Sequence, residues 1–275
     1  MTGDCLARFS GVSFTYPGST APALSGIELE ITGGEWIAVL GSNGSGKSTL
    51  AKHLNALLVP TQGDCFVKGI NTKTEEGKRL ARKTVSMVFQ NPENQIIAAV
   101  VEEDVAFGPE NLGLPSVEIR DRVRWALKLS GLEKLARKPV YALSGGQKQR
   151  LAVAGAIAQR PPCLVLDEAT TMLDPRGRKD LMDVLSALHD EGMNLVSITH
   201  RLEEILLCDR CLVLSEGKIA WQGAPSDLFL LGDRLKAWGL DIPGIVKEWE
   251  LLVQRGLIGR ETAPGIGDMV EALCR

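Results

Sequence analysis

Eight consecutive residues carry the strongest chemical signal in the chain. Gly41-Ser42-Asn43-Gly44-Ser45-Gly46-Lys47-Ser48 fits G-x-x-x-x-G-K-[ST], directly after an apolar run and before a helical pattern. Glycines at these places let the loop fold so that backbone N–H groups face phosphate oxygens, and the helix that follows turns its positive end the same way. Lys47 adds a charge suited to β- and γ-phosphates, and the Ser48 hydroxyl can ligate Mg²⁺.

A second apolar run, Cys163-Leu164-Val165-Leu166, ends in Asp167-Glu168. In a parallel sheet the carboxyl ends of such strands line the ligand edge, which places both carboxylates beside the phosphate loop. Asp167 is then placed to hold Mg²⁺ and Glu168 to polarise an attacking water. His200 follows the run Leu195 to Thr199 and should reach the same edge, within range of a γ-phosphate. A lone histidine is more often structural, and His53 and His189, inside helical patterns with no partner spacing, are read that way.

These groups need a scaffold. Leu6 to Tyr16 and Leu24 to Ile31 alternate as strands, Gly33-Gly34 makes a turn, and Trp36 to Leu40 is apolar on both faces, as in a parallel sheet. A hairpin around Phe66 to Ile70 and a strand at Val85 to Phe89 follow. From Asn91 to Ala142 the spacing is helical over Val100 to Phe107, Val117 to Leu129 and Leu132 to Ala136, punctuated by Pro109, Pro115 and Pro139. Strand and helix then alternate: a helix over Leu181 to His189, a strand at Leu195 to Thr199, a short helix from Leu202, and a closing hairpin of Leu212 to Leu214 with Ile219 to Trp221. This is the pattern of βαβ units around a parallel sheet, an α/β fold. After Gly223 short amphipathic pieces, Ile245 to Gln254 and Ile266 to Leu273, alternate with Gly/Pro breaks.

The 275 residues suffice for one large domain plus a small appendage, with 44% hydrophobic and 24% charged residues as in ordinary globular chains. With 31 Lys and Arg against 34 Asp and Glu and only 5% aromatics, neither a basic field nor a base-stacking platform for nucleic acid is expected. The first nine residues include Asp4 and Arg8 and form no apolar leader, and no run approaches the ~20 residues that cross a bilayer. If the chain works at a membrane, another chain must span it. Six cysteines without a leader read as reduced thiols, and Cys208/Cys211, lacking a second pair, as small buried residues.

Leu143-Ser144-Gly145-Gly146-Gln147 opens a further helical run, Lys148 to Ala158, and makes a second helix-terminus anion site. With two such sites but one phosphate loop, the chain could complete its site across a dimer. At these residues it resembles the ATP-binding-cassette (ABC) ATPases, whose signature is LSGGQ. That resemblance implies a RecA-like core, an antiparallel β-subdomain, a helical signature subdomain at about 91–160 within a cassette at 1–223, and a small α-rich C-terminal extension at 224–275 that could contact a second copy. It further implies that Tyr16 stacks on adenine, that Gly41 to Ser48 with Thr49 hold the phosphates, and that Gln90 contacts Mg²⁺ and signals to a membrane partner. Ser144, Gly145, Gly146 and Gln147 would clasp ATP bound by the opposite subunit, Asp167 and Glu168 would be the Mg²⁺ aspartate and catalytic glutamate, Asp174 would couple the two sites, and His200 would be the switch histidine. Thr171-Met172-Leu173-Asp174 departs from the common Ser-Ala-Leu-Asp but keeps the aspartate.

Gln90-Asn91-Pro92-Glu93-Asn94-Gln95, Glu102 to Asn111, and the tail segments Trp238 to Pro243 and Gly267 to Leu273 are similar to the energy-coupling factor (ECF) and cobalt-importer ATPases. That narrower resemblance implies a peripheral ATPase on the cytoplasmic face of the cell membrane, paired with an identical or paralogous ATPase. Its membrane partners would be a transmembrane coupling subunit and a substrate-capture subunit for a vitamin or transition-metal ion. An ATPase of another ABC importer subfamily is the alternative.

Overall fold

The computed structural model describes residues 5–201, 204–229, 231–240, 244–259, 262 and 266–274. The first strands, β1 (Cys5–Phe14), β2 (Leu24–Thr32), β4 (Gln62–Val67) and β5 (Ile70–Asn71), form an antiparallel sheet in the order β2-β1-β4-β5. Between them run β3 (Trp36–Leu40) and helix α1 (Lys47–Leu54). A central six-stranded sheet contains β3, β6 (Val85–Val88), β7 (Cys163–Asp167), β8 (Asn194–Ile198), β9 (Arg210–Ser215) and β10 (Lys218–Gly223), in the order β10-β9-β3-β8-β7-β6. All its pairings are parallel except the closing hairpin β9–β10.

The two-sided burial of the central strands explains their unbroken apolar sequence. Trp36, Ala38 and Leu40 enter one hydrophobic cluster while Ile37 and Val39 enter another; Leu164 and Leu166 divide from Cys163 and Val165 in the same way. One face is covered by the antiparallel sheet and α1. The other carries a helical layer of α3 (Val101–Asn111), α4 (Ser116–Leu129) and α5 (Gly145–Ala158), which pack on one another. The turn at Gly33-Gly34 is tied to β8 through Asn194, whose Oδ1 accepts from Gly34 N at 3.0 Å.

Helix α2 (Glu75–Thr84) was not expected from the sequence. Few of its residues are apolar, and its stability comes from local chemistry: Thr74 caps it by accepting from Gly77 N, with Glu75 and Glu76 in the first turn and Arg82 and Lys83 in the last. Helix α3 runs through Pro109, where a break was expected. The proline lies in the last turn, so the lost N–H costs one bond near the helix end. Helix α6 (Pro175–Asp190) begins six residues before the apolar spacing suggests, because Asp174 caps it and Pro175 sits at its first position. Leu132 to Ala136 holds a single 3₁₀ turn, Glu133–Leu135, and the segment from Leu202 another, Glu204–Leu207; Leu202 itself lies outside the described residues.

Cys208 and Cys211 are buried free thiols, as expected, and burial pushes Cys211 up to about 12. After the hairpin come α7 (Pro225–Phe229), α8 (Asp233–Ala237), α9 (Gly244–Gln254) and α10 (Ile266–Leu273). Leu228, Phe229, Leu235, Leu240 and Val246 join the helical-layer core, whereas Trp249, Ile258 and Met269 form a small cluster of their own. Of the tail segments singled out in the sequence, Asp241 to Pro243 lies outside the described residues, while Gly267 to Leu273 falls in α10.

Candidate functional site

The phosphate-type loop leaves β3 at Gly41 and enters α1 at Gly46, with φ of 140° and 106°, a backbone that side chains resist. A side chain at Gly41 would also collide with the Leu214 carbonyl oxygen of β9. The loop is anchored beneath by Gly217 N, which donates to Ser45 O at 3.1 Å. Ser42, Asn43 and Gly44 face solvent, while Ser45 and Lys47 are buried. Ser45 Oγ is buried and has no hydrogen-bond partner among the described residues.

Lys47 donates from Nζ to the carbonyls of Gly41 and Ser42, both at 2.8 Å. Burial lowers its pKa, opposed by the nearby negative charges of Glu168 and Asp167. Asp167 ends β7 and is only 6% exposed; burial raises its carboxyl above the ordinary range, and the Ser48 hydroxyl pulls it back down. One buried carboxylate beside one hydroxyl suits Mg²⁺, which takes few protein ligands and completes its shell with phosphate oxygens and water. Among the described residues no group of three or more His, Cys, Asp and Glu gathers as a metal cage.

Glu168 follows with φ +51°, a strained value for a side-chain-bearing residue, and is held there by its N–H donating to Ile198 O at 3.0 Å. The twist turns its carboxylate out of the strand. Gln90 Nε2 donates to Glu168 Oε2 at 2.8 Å, and His200 Nδ1 stands 4.0 Å from Oε1. The ends of three neighbouring parallel strands, β6, β7 and β8, thus bring Gln90, Glu168 and His200 together. Tyr16 lies just beyond β1, its OH hydrogen-bonded to Thr49 Oγ1 at 3.0 Å and its ring edge-on to Phe14 with centroids 4.9 Å apart.

The second glycine-rich segment is separate. Ser144 and Gln147 form a reciprocal cap on α5: Gln147 N donates to Ser144 Oγ at 3.3 Å and Ser144 N to Gln147 Oε1 at 3.0 Å. Ser144 and Gly145 are exposed, Gly146 lies over the Met172 carbonyl side, and no hydrogen bond joins the segment to the phosphate loop among the described residues. Asp174 Oδ1 accepts from Gly177 N at 2.8 Å, which fixes the start of α6.

Sequence reasoning gave no role to the groups that hold the segment after Gln90. Gln95 bridges it: its Oε1 accepts from Phe89 N and its Nε2 donates to Ala152 O, each at 3.2 Å. Asp104 Oδ1 accepts from Ile97 N and Ala98 N, and Lys148 pairs with Glu93 at 2.5 Å. Only the polar spacing Gln90…Gln95 hinted at this. A cavity of about 930 Å³ lies elsewhere, at the amino ends of the strands, lined by Gly34, Lys68, Trp125, Arg160 and Asn194 among others, and contains none of the motif residues.

A central parallel sheet with the phosphate loop after one strand and an Asp-Glu pair after another defines a P-loop nucleotide hydrolase. Residues 24–171 match the family model described as ABC transporter. The energy-coupling factor transporter ATP-binding protein EcfA1 of Symbiobacterium thermophilum is 50% identical over 273 residues, 96% of this chain and 95% of the relative. Its counterpart from Caldanaerobacter subterraneus is 46% identical over 98% of this chain and 99% of the relative. Among solved structures, CbiO1 from Clostridium perfringens, described as part of the ABC transporter complex CbiONQ, superposes with a TM-score of 0.76 at 37% identity, covering 90% of this chain and 99% of that one. The cassette MJ0796, a dimer in a post-hydrolysis state bound to ADP and Pi, gives 0.74 at 29% identity over 80% of this chain and 98% of that one. The chain belongs to the ABC transporter family, among the ATP-binding proteins of energy-coupling factor transporters.

Proposed function

We propose that this ATPase is the energy-supplying subunit of an ECF-type importer, working at the cytoplasmic face of the membrane beside a second cassette, a transmembrane coupling subunit and a capture subunit for a vitamin or metal ion. The observation that carries the reading is the meeting of Gln90, Glu168 and His200 at the sheet edge that also presents Lys47 and Asp167. No helix of the described residues is long and apolar enough to cross a membrane, in keeping with a peripheral position.

In this reading the loop amides of Gly41 to Ser48 and the Lys47 ammonium hold the triphosphate, with Thr49 beside them and Tyr16 against the adenine. Two of the three Lys47 donors are taken by the carbonyls of Gly41 and Ser42, which leaves the third for a phosphate oxygen. Ser48, Asp167 and Gln90 form the Mg²⁺ side; a bound Mg²⁺ supplies charge neutralisation at the β- and γ-phosphates. Glu168 accepts a hydrogen bond from, and orients, the attacking water, and His200 contacts the γ-phosphate side. Glu168 Oε1 is left for that water while Oε2 accepts from Gln90, and the Gln90 bond ties the chemistry to the segment that Gln90 begins.

The same segment offers a surface for the coupling subunit. Tyr141, 85% exposed, lines a hollow with Ile96, Ala98, Ala99 and Val140, edged by the Glu93–Lys148 pair, and Ile97, between Ile96 and Ala98 in the chain, is 65% exposed. Exposed aromatic and aliphatic side chains gathered at one place mark an interaction site. Ser144, Gly145, Gly146 and Gln147, facing outward, serve the ATP of the second cassette, and Asp174 at the start of α6 links the two sites. The cassette spans 1–223 with its helical subdomain at about 91–160, and the extension at 224–275 contributes Leu251, Leu257 and Val270, all exposed, to the contact between cassettes.

The test is purification of the tagged chain from native membranes in mild detergent, with co-purifying chains identified by mass spectrometry. A coupling subunit, a second cassette and small membrane proteins are expected. A conventional permease pair instead would place the chain in another ABC importer subfamily.

A further inference from the structure

The phosphate loop is touched from a direction that the cassette motifs do not predict. Helix α8 ends in a complete Schellman turn: Leu240 N donates to Leu235 O at 2.9 Å and Gly239 N to Lys236 O at 3.0 Å, with Gly239 at φ +69°. Leu235 and Leu240 are both buried in the main core and Trp238 packs against it, so the turn is fastened rather than loose. What it presents to the phosphate loop is a glycine. A methyl group at Gly239 would stand 3.1 Å from Ser42 Cβ, closer than carbon atoms pack without moving, and at an ordinary 3.8 Å from Ser42 Cα. Ser42 in turn supplies, through its carbonyl, one of the two partners of Lys47 Nζ.

We infer that Gly239 is a positioning residue for the nucleotide site: the C-terminal extension sets the place of Ser42, and through it the carbonyl that holds Lys47. The inference rests on the phosphate-loop reading of Gly41 to Ser48. The loop is then clamped from both sides, by Leu214 and Gly217 of the β9–β10 hairpin beneath and by the Gly239 turn outside. Displacing Ser42 by a few tenths of an ångström alters the hold on the triphosphate without touching Glu168, so affinity for ATP changes more than turnover at saturation. The extension thereby acquires a role at the nucleotide, whatever it contributes between cassettes.

The experiment compares Gly239→Ala with Gly256→Ala in the full chain, reading the Kd for ATP, KM and kcat separately, and Tm. Gly256 has almost the same backbone conformation, φ +68°, but nothing within 4 Å of the added methyl, so it reports the backbone strain alone. Gly239→Ala is expected to weaken ATP binding by about three- to tenfold, a shift well below that of a full ångström of misplacement. Gly256→Ala should leave binding unchanged while lowering Tm by a similar amount. In a double-mutant cycle, adding Ser42→Gly, which removes the Cβ that the new methyl meets, should bring the Gly239→Ala affinity back to that of Ser42→Gly alone. Equal ATP affinity in the two alanine variants, or no rescue by Ser42→Gly, overturns the inference. Lys47→Ala is measured alongside: unchanged ATP affinity there would overturn the phosphate-loop reading itself, whereas a loss there with none in Gly239→Ala would overturn only the role of Gly239.

Discussion

The chain has two glycine-rich turns that open helices, and they differ in almost every physical respect. At α1 the cap residue is Gly46 in a left-handed conformation with no side-chain cap, so the first N–H groups remain available to a ligand. Its lysine is buried, held by two backbone carbonyls and faced by two carboxylates. At α5 the cap is Ser144, reciprocally bonded to Gln147 and exposed. The first turn combines charge, burial and uncapped amides. The second has its capping groups already paired with each other and offers only dipoles. Burial beside the sheet edge, rather than glycine content, distinguishes a chemical site from a presenting surface.

The strongest way to break that contrast is at Glu168. Glu168→Gln is expected to lower steady-state ATP hydrolysis by about 10²- to 10⁴-fold while ATP still binds. Near-normal hydrolysis would remove the sheet edge from the chemistry. Next is Lys47→Ala, which removes charge-assisted bonds and should weaken ATP binding by about 10- to 100-fold in equilibrium titration. Ser144→Ala sharpens the contrast from the other side. Loss of the cap should cost about 1 kcal/mol in denaturant unfolding, leave ATP affinity of the dilute single chain unaltered, and reduce hydrolysis only in the assembled pair. Weakened binding by the dilute chain would mean that the turn serves its own nucleotide.

The smallest effect is a change in stability, at Asp167. Its folded carboxyl lies above the ordinary 3.8 chiefly because burial disfavours its charge. The native state therefore holds this proton more tightly than the unfolded chain, and ionisation of Asp167 costs stability as pH rises from 3.8 through the raised value. Asp167→Asn should make the nucleotide-free chain more stable at neutral pH by thermal melting, with the difference shrinking as pH falls toward 3.8. The same variant should lose Mg²⁺-dependent hydrolysis. Unchanged melting at neutral pH would show that the wild-type carboxylate is already stabilised by its neighbours.

Much of the site was legible because its chemistry is local. A phosphate loop must be written in consecutive residues, since adjacent amides form the cradle, and two carboxylates at the end of an apolar strand mark a sheet edge wherever that sheet lies. Strands buried on both faces announce themselves by unbroken apolar runs, as Trp36 to Leu40 does. Helix α2 leaves little apolar periodicity in the sequence, because capping and end charges carry it. The start of α6 was hidden for the same reason: Asp174 reads equally well as a loop residue and as a cap.

Neighbours within a few residues set the loop, the signature turn, the strand-end carboxylates and the alternation that makes the sheet parallel. Tertiary structure alone decided which of these meet. The order of β6, β7 and β8 brings Gln90 and His200 to Glu168, the strained backbone of Glu168 aims its carboxylate, and Tyr16 finds Thr49 across the gap between β1 and α1. The Gly239 turn rests on Ser42 from the far end of the chain. Those contacts join residues distant in sequence, where no local pattern can register them, and they exist only because burial of the two core clusters fixes where each strand and turn must lie.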